Sequence, residues 1–242
     1  MRYALGVLLA VLALGAPALE EAAISAFSAM PPGSALPAGW RKVVLPYGNA
    51  ADFSLVRDAE RTVLQVRSEN AFGTVAHELA ADPEKTPIIK WRWKIDRVVE
   101  KADMQTKQGE DFAARVYVSF DYPLDELPFV TRAKLKIARA IYGDVPAAAI
   151  CYVWDNRHAP GTSLWSPHFD YVRVVVLESG NARAGRWVEE TRDVDADFRA
   201  AFGERWQRPT PHIAGVVAGN DTDQTHETVT AWFGDFKLQA RR

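Results

Sequence analysis

The chain has 242 residues, 48% of them hydrophobic and 25% charged, with a formal net charge of -2. This is ordinary globular composition, which excludes a disordered or collagen-like chain, and without a basic field no nucleic acid is expected as partner. The one cysteine, Cys151, cannot form an internal disulfide, so stability has to come from burial, for which this length suffices.

Taken in order, Arg2, the apolar run 4–14 and Ala16-Pro17-Ala18 read as a signal peptide over residues 1–18, cleaved after about Ala18. The run is about half the roughly 20 residues a spanning helix needs, so no retained membrane anchor is expected. Export without a disulfide fits a bacterial periplasmic or secreted protein. Residues 19–39, broken by Met30-Pro31-Pro32-Gly33 and Leu36-Pro37-Ala38-Gly39, are predicted as a linker into one domain over 40–242.

Short β-branched stretches at 40–45, 53–57, 62–68 and 73–79, separated by turn residues, predict antiparallel strands. The stretch 88–96 alternates throughout: Ile89, Trp91, Trp93 and Ile95 on one face, Lys90, Arg92, Lys94 and Asp96 on the other. Residues 97–107 fit either helical turns or a loop. The stretch 113–121 alternates again, with Arg115, Tyr117, Ser119 and Asp121 opposite an apolar set.

A helix is predicted over 124–142, its apolar face carrying Leu127, Val130, Ile137 and Ile141. Asp125 and Glu126 start it, Arg132, Lys134, Lys136 and Arg139 follow in dipole-compatible order, and Gly143 ends it. Further strands are predicted at 148–154, 171–178, 186–194, 212–219 and 228–238. A short helix over 195–202 is capped by Asp195 or Asp197 and closed by Gly203. The sum is an all-β dominated, antiparallel two-sheet sandwich of jelly-roll type, with one inserted α-helix and a second short one.

Three groups could carry chemistry. If 88–96 and 113–121 lie in one sheet, Lys90, Arg92, Lys94, Arg115, Tyr117 and Asp121 share a face suited to saccharide hydroxyls and carboxylates, or form a solvated face of ion pairs. The stretch 154–170 brings Trp154, Asp155, Asn156 and Trp165 into a long loop, with His158 and His168 as remote metal candidates beside ordinary loop bonding. In 220–227, Asp221, Asp223 and Glu227 either wrap a structural calcium ion or cap their own hairpin. No nucleophile elbow, phosphate loop, His-Glu-x-x-His or Cys-x-x-Cys is present, so no catalytic residue is assigned. Cys151, within an apolar strand, reads as a buried small hydrophobe. Glu189 and Glu190, adjacent in a strand, point to opposite faces.

Six segments taken together resemble a bacterial family catalogued only as domain of unknown function 3047: Asp52-Phe53-Ser54-Leu55-Val56, Ile89-Lys90-Trp91-Arg92-Trp93-Lys94, Asp111-Phe112-Ala113-Ala114-Arg115-Val116-Tyr117-Val118, Ile150-Cys151-Tyr152-Val153-Trp154, Val176-Leu177-Glu178-Ser179-Gly180 and Asp221-Thr222-Asp223-Gln224-Thr225. The resemblance implies an exported bacterial protein and no particular activity. The closing stretch 231–238 is similar to the last strand of galactose-binding-like, carbohydrate-binding sandwiches. The expectation is a periplasmic, non-catalytic domain binding an oligosaccharide or polysaccharide. The alternatives are a polysaccharide-cleaving enzyme, with Tyr117 as proton donor, Arg115 or Arg92 meeting a substrate carboxylate and a histidine as base, and a protein-binding envelope scaffold using the basic helix.

Overall fold

The computed structural model describes residues 24–33, 35–43, 48–142 and 145–241. The predicted signal peptide, residues 44–45 of the first predicted strand, Gly143 and the side chain of Ile141 lie outside the described residues. The strands are β1 (Trp40–Val43), β2 (Asn49–Ala50), β3 (Asp52–Asp58), β4 (Arg61–Glu69), β5 (Ala71–Ala81), β6 (Ile88–Ile95), β7 (Ala114–Phe120), β8 (Ala148–Asp155), β9 (Ser163–Trp165), β10 (Val172–Ser179), β11 (Val188–Asp193), β12 (Ile213–Asp221), β13 (Thr228–Phe233) and β14 (Lys237–Gln239). The α-helices are α1 (Phe129–Tyr142) and α2 (Val194–Phe202).

These strands form two layers, the jelly-roll sandwich expected. One sheet runs β1-β5-β12-β7-β8-β10-β9, with β2 beside β5; the other runs β11-β6-β13-β4-β3, with β14 beside β6. Pairing is antiparallel except β8 with β10 and β2 with β5. Along β6, Ile89, Trp91, Trp93 and Ile95 are buried and the residues between them are not. The inner faces meet through aromatic rings: Trp91 lies 5.5 Å from Tyr152, and Trp93 5.9 Å from Trp154, between ring centroids. Each such ring removes about 150–250 Å² from water, an upper bound of about 4–6 kcal/mol of transfer free energy.

The decisive departure from expectation is that β6 and β7 belong to different sheets. Their polar sets therefore do not share a face. Period-two patterning fixes which side of a strand is buried but says nothing of the strand's partner. The connection 96–113 crosses from one sheet to the other and lays Met104 and Phe112 on the outer face of the larger sheet. With Leu164 they cover Ala149, Cys151, Val153, Val172, Val174 and Val176, a small second core.

Smaller corrections have equally local reasons. Part of the predicted linker is packed: Phe27 in a 3-10 turn sits 4.8 Å from Trp40 and 6.4 Å from Phe236, ring to ring, and is buried. Asp125 and Glu126 belong to a separate 3-10 turn, because α1 starts only after Pro128, whose carbonyl accepts from Arg132 N at 2.9 Å. Among the described side chains of α1, Leu135 is the buried one, whereas Phe129, Val130 and Ile137 are 76%, 62% and 63% exposed. The α2 cap is Asp193 rather than Asp195 or Asp197; its carboxylate accepts from Ala196 N at 3.0 Å, and Gly203 closes the helix as predicted. No helix among the described residues is long and apolar enough to cross a membrane.

Candidate functional site

On the outer face of the smaller sheet, β6 presents Lys90, Arg92 and Lys94. The β-ladder aligns Lys94 with Trp232 of β13, and Trp232 with Gln65 of β4; on the other side Arg92 stands opposite Glu189 of β11. Trp232 faces outward because Ala231 and Phe233 on either side are buried. The Trp232 indole N–H donates to Gln65 Oε1 at 3.1 Å, fixing the ring. The Arg92 guanidinium lies 4.3 Å from the Trp187 ring centroid, and Lys94 Nζ lies 5.0 Å from Trp187 and 4.6 Å from Trp232. Asp58 ion-pairs Lys94. Two indoles thus flank a cation row, an arrangement in which ring faces and charges hold one another in place.

Beside this row lies a depression of about 250 Å³, lined among others by Lys90, Arg92, Glu189, Thr191, Asp235 and Lys237. Gly234 forms its edge. A Cβ there would meet Arg92 Cγ at 2.6 Å, so the absent side chain is what lets Arg92 lie across the strand end. Ser28 N and Oγ both donate to Asp235, tying the N-terminal segment to the rim. Trp187 and Trp232 were missed in the sequence reading; the signal for Trp232 was present in its alternation with Ala231 and Phe233, and for Trp187 there was none.

The other sequence candidates sit elsewhere. Arg115 is 4% exposed on the opposite side of the larger sheet, ion-paired to Asp221 and donating from Nη1 to Tyr117 Oη at 3.1 Å. Tyr117 is half-buried, and burial pushes its phenol above the usual range, so it keeps its proton. Asp121 is exposed beyond the end of β7, at a second hollow of about 570 Å³ bordered by Ser119, Gly215, Glu78 and Arg139.

Trp154 and Asp155 are buried, and Trp154 Nε1 donates to Gly180 O at 3.0 Å. Asn156 Nδ2 donates to Glu100 O and Ala102 O, at 3.0 and 2.9 Å, clasping the 96–113 connection. Trp165 is half-buried between Arg173 and Arg205. His158 lies 2.9 Å from Asp155, and His168 3.1 Å from Lys107 O, so the two histidines serve separate loop contacts.

Of the proposed oxygen ligands, Asp221 and Asp223 come together, but with Asp111 instead of Glu227. Glu227 is taken by Arg97 at 2.8 Å and by Lys101 N at 2.8 Å. Around Asp111, burial raises its carboxyl, with the Asp223 charge adding to the effect; burial likewise raises neighbouring Glu110.

Glu189 and Glu190 do separate to opposite faces. Glu190 turns inward at the sandwich edge, where Trp93 Nε1 donates to it at 3.1 Å. Burial and the nearby Glu178 push its carboxyl up to about 7.

Residues 38–237 match the family described as "Protein of unknown function (DUF3047)". No curated protein matches the chain. Among solved structures the chain is similar to the endoglucanase cel12A from Rhodothermus marinus, at 11% identity and TM-score 0.45, covering 87% of this chain and 96% of that one. It is also similar to the xyloglucanase domain of the Sinorhizobium fredii effector NopAA, at 8% and 0.44, covering 90% and 100%. A family 29 carbohydrate-binding module from Piromyces equi matches at 9% and 0.37, covering 90% and 89%.

Proposed function

The chain belongs to the family of proteins of unknown function DUF3047, and for this member we propose non-catalytic binding of an oligosaccharide or polysaccharide on the outer face of the smaller sheet. The carrying observation is the pair Trp187 and Trp232 flanking Arg92 and Lys94 beside the 250 Å³ depression. Indole planes stack on the C–H faces of pyranose rings, while Lys90, Arg92, Glu189 and Asp235 offer donors and acceptors for hydroxyls, and the cations suit uronate carboxylates. Cleavage of a glycosidic bond calls for two carboxyl groups across a cleft, roughly 5 to 9.5 Å apart. Glu190 pairs in register with Trp91 and Glu178 with Trp154, both core residues. The depression is nevertheless lined by Glu189, Glu190 and Asp235, so fragment masses, and not the positions of these acids, separate binding from cleavage. An exported address, read from residues 1–18, suits the role, because envelope polysaccharide is met there.

The test is affinity electrophoresis and calorimetry of the mature chain against neutral and acidic oligosaccharides, with fragment masses read in parallel. Binding should weaken at least roughly tenfold in Trp187→Ala or Trp232→Ala. Retention unchanged in both variants would move the ligand to another surface, and new fragments would make the protein an enzyme.

A further inference from the structure

Beneath the 96–113 connection, three carboxylates converge whose charge the fold does not balance. Asp111 comes from the end of that connection, Asp221 from the last residue of β12, and Asp223 from the turn that follows. One ligand atom from each lies within 4.8 Å of the others. Glu110 adjoins the group; Arg115 ion-pairs Asp221 and stands near Glu110 and Asp111, and His168 lies 3.6 Å from Glu110. Asp111 is fully buried.

Hydrogen bonding accounts for only part of this group. Gln224 N and Thr225 N donate to Asp111 Oδ2 at 3.1 and 2.7 Å, Gln224 Nε2 donates to Asp223 Oδ2 at 2.7 Å, and Phe112 N donates to Asp221 Oδ1 at 3.0 Å. Asp111 Oδ1 and Asp223 Oδ1 are buried without a partner. The Thr225 hydroxyl, in a residue 7% exposed whose own N–H is bonded to Asp111, lies against the same Asp111 carboxyl and has no partner beyond it among the described residues. Unmet buried oxygens of this kind cost about 1–3 kcal/mol each, more when charged.

We propose that Asp111, Asp221, Asp223 and Thr225 hold one calcium ion. The set is all oxygen, which selects a hard cation over zinc or copper. Carboxylate oxygens carry two lone pairs each, so Asp221 serves Arg115 and Phe112 N and still has capacity for the ion. Calcium takes six to eight oxygens at about 2.3–2.6 Å in irregular shells, which this mixed set of carboxylates and a hydroxyl suits, whereas magnesium demands a regular octahedron at about 2.0–2.1 Å. Asp223, the half-buried member, leaves room for water to complete the shell. The ion pins the 96–113 connection to the β12–β13 turn, joining parts of the chain 110 residues apart in sequence, as Asp111 and Asp221 are.

The experiment is thermal melting of the mature chain in excess EDTA and then in excess calcium, magnesium or zinc chloride, with calorimetric titration of calcium alone. Calcium at about a hundredfold excess over its Kd should raise the melting temperature by about 5–10 °C and bind one per chain. Asp223→Asn and Thr225→Val, each near-isosteric, should keep the EDTA melting temperature within a few degrees and lose most of the calcium response. No calcium heat and no shift in the wild type would overturn the site. So would a calcium response that survives in both variants.

Discussion

Replacing Arg115 by Met deletes the guanidinium that faces Glu110, Asp111 and Asp221 while keeping an unbranched chain of similar length. Arg115 and Asp221 are both nearly fully buried, so water cannot take over the lost partner. Breaking such a pair from one side costs about 3–5 kcal/mol. In a domain of this size each kcal/mol moves the melting temperature by about 2–4 °C, so the variant should melt about 6–20 °C lower in EDTA. Replacing both partners, Arg115→Met with Asp221→Leu, removes the stranded charge and should cost much less than the two single changes added together. Arg115→Met removes the pull that opposes the burial-raised carboxyls of Glu110 and Asp111. Their protonated form therefore supports the fold below the unfolded carboxylate range, and that support is lost as pH rises. The deficit should accordingly shrink on acidification. Urea unfolding of the four proteins at neutral and mildly acidic pH measures every term. A loss below about 1 kcal/mol in Arg115→Met, or additive losses in the double variant, would refute the reasoning.

Glu190 gives a second pH-dependent outcome. Its carboxyl rises from 4.5 to about 7 through burial and the charge of Glu178, so its contribution is fully present below pH 4.5 and lost as pH climbs through about 7. Glu190→Gln keeps an acceptor for Trp93 Nε1 and should gain about 1–2 kcal/mol at pH 8, the shift being discounted for partial exposure, with no gain at pH 4; a variant no more stable at pH 8 would count against this account. The Cys151 thiol, buried and pushed up to about 12, should ignore an aromatic disulfide reagent in the native protein and react once per chain in denaturant. Rapid labelling of the folded state would mean that the covering connection opens readily.

The layers were legible where strands alternate cleanly, as β6, β10 and β13 do. Trp91 and Trp93 lie inward and Lys90, Arg92 and Lys94 outward as the alternation required, and β7 obeys the same rule. What could not be read was partnership. β6 and β7 are successive strands, yet the 96–113 connection carries the chain to the other sheet, and nothing local to either strand records that crossing. The acidic turn shows the same limit: Asp221 and Asp223 were visible as alternate carboxylates, whereas Asp111 joins them only through the packing of that connection, and Glu227 leaves them because Arg97 is within reach. In α1 the helical period was visible but its orientation was not: of the expected stripe Leu127, Val130, Ile137 and Ile141, Val130 and Ile137 face outward, while Leu135 is buried.

The connection that hides Cys151, Tyr117 and Arg115 gives the sandwich a sealed back and an open front. Outward-pointing positions on β6 and β7 consequently answer to different demands. A change at Arg115 or Tyr117 disturbs a second interior and registers as lost stability wherever it is measured. A change at Lys90 or Arg92 falls on the ligand-facing exterior and registers in binding while the fold is kept.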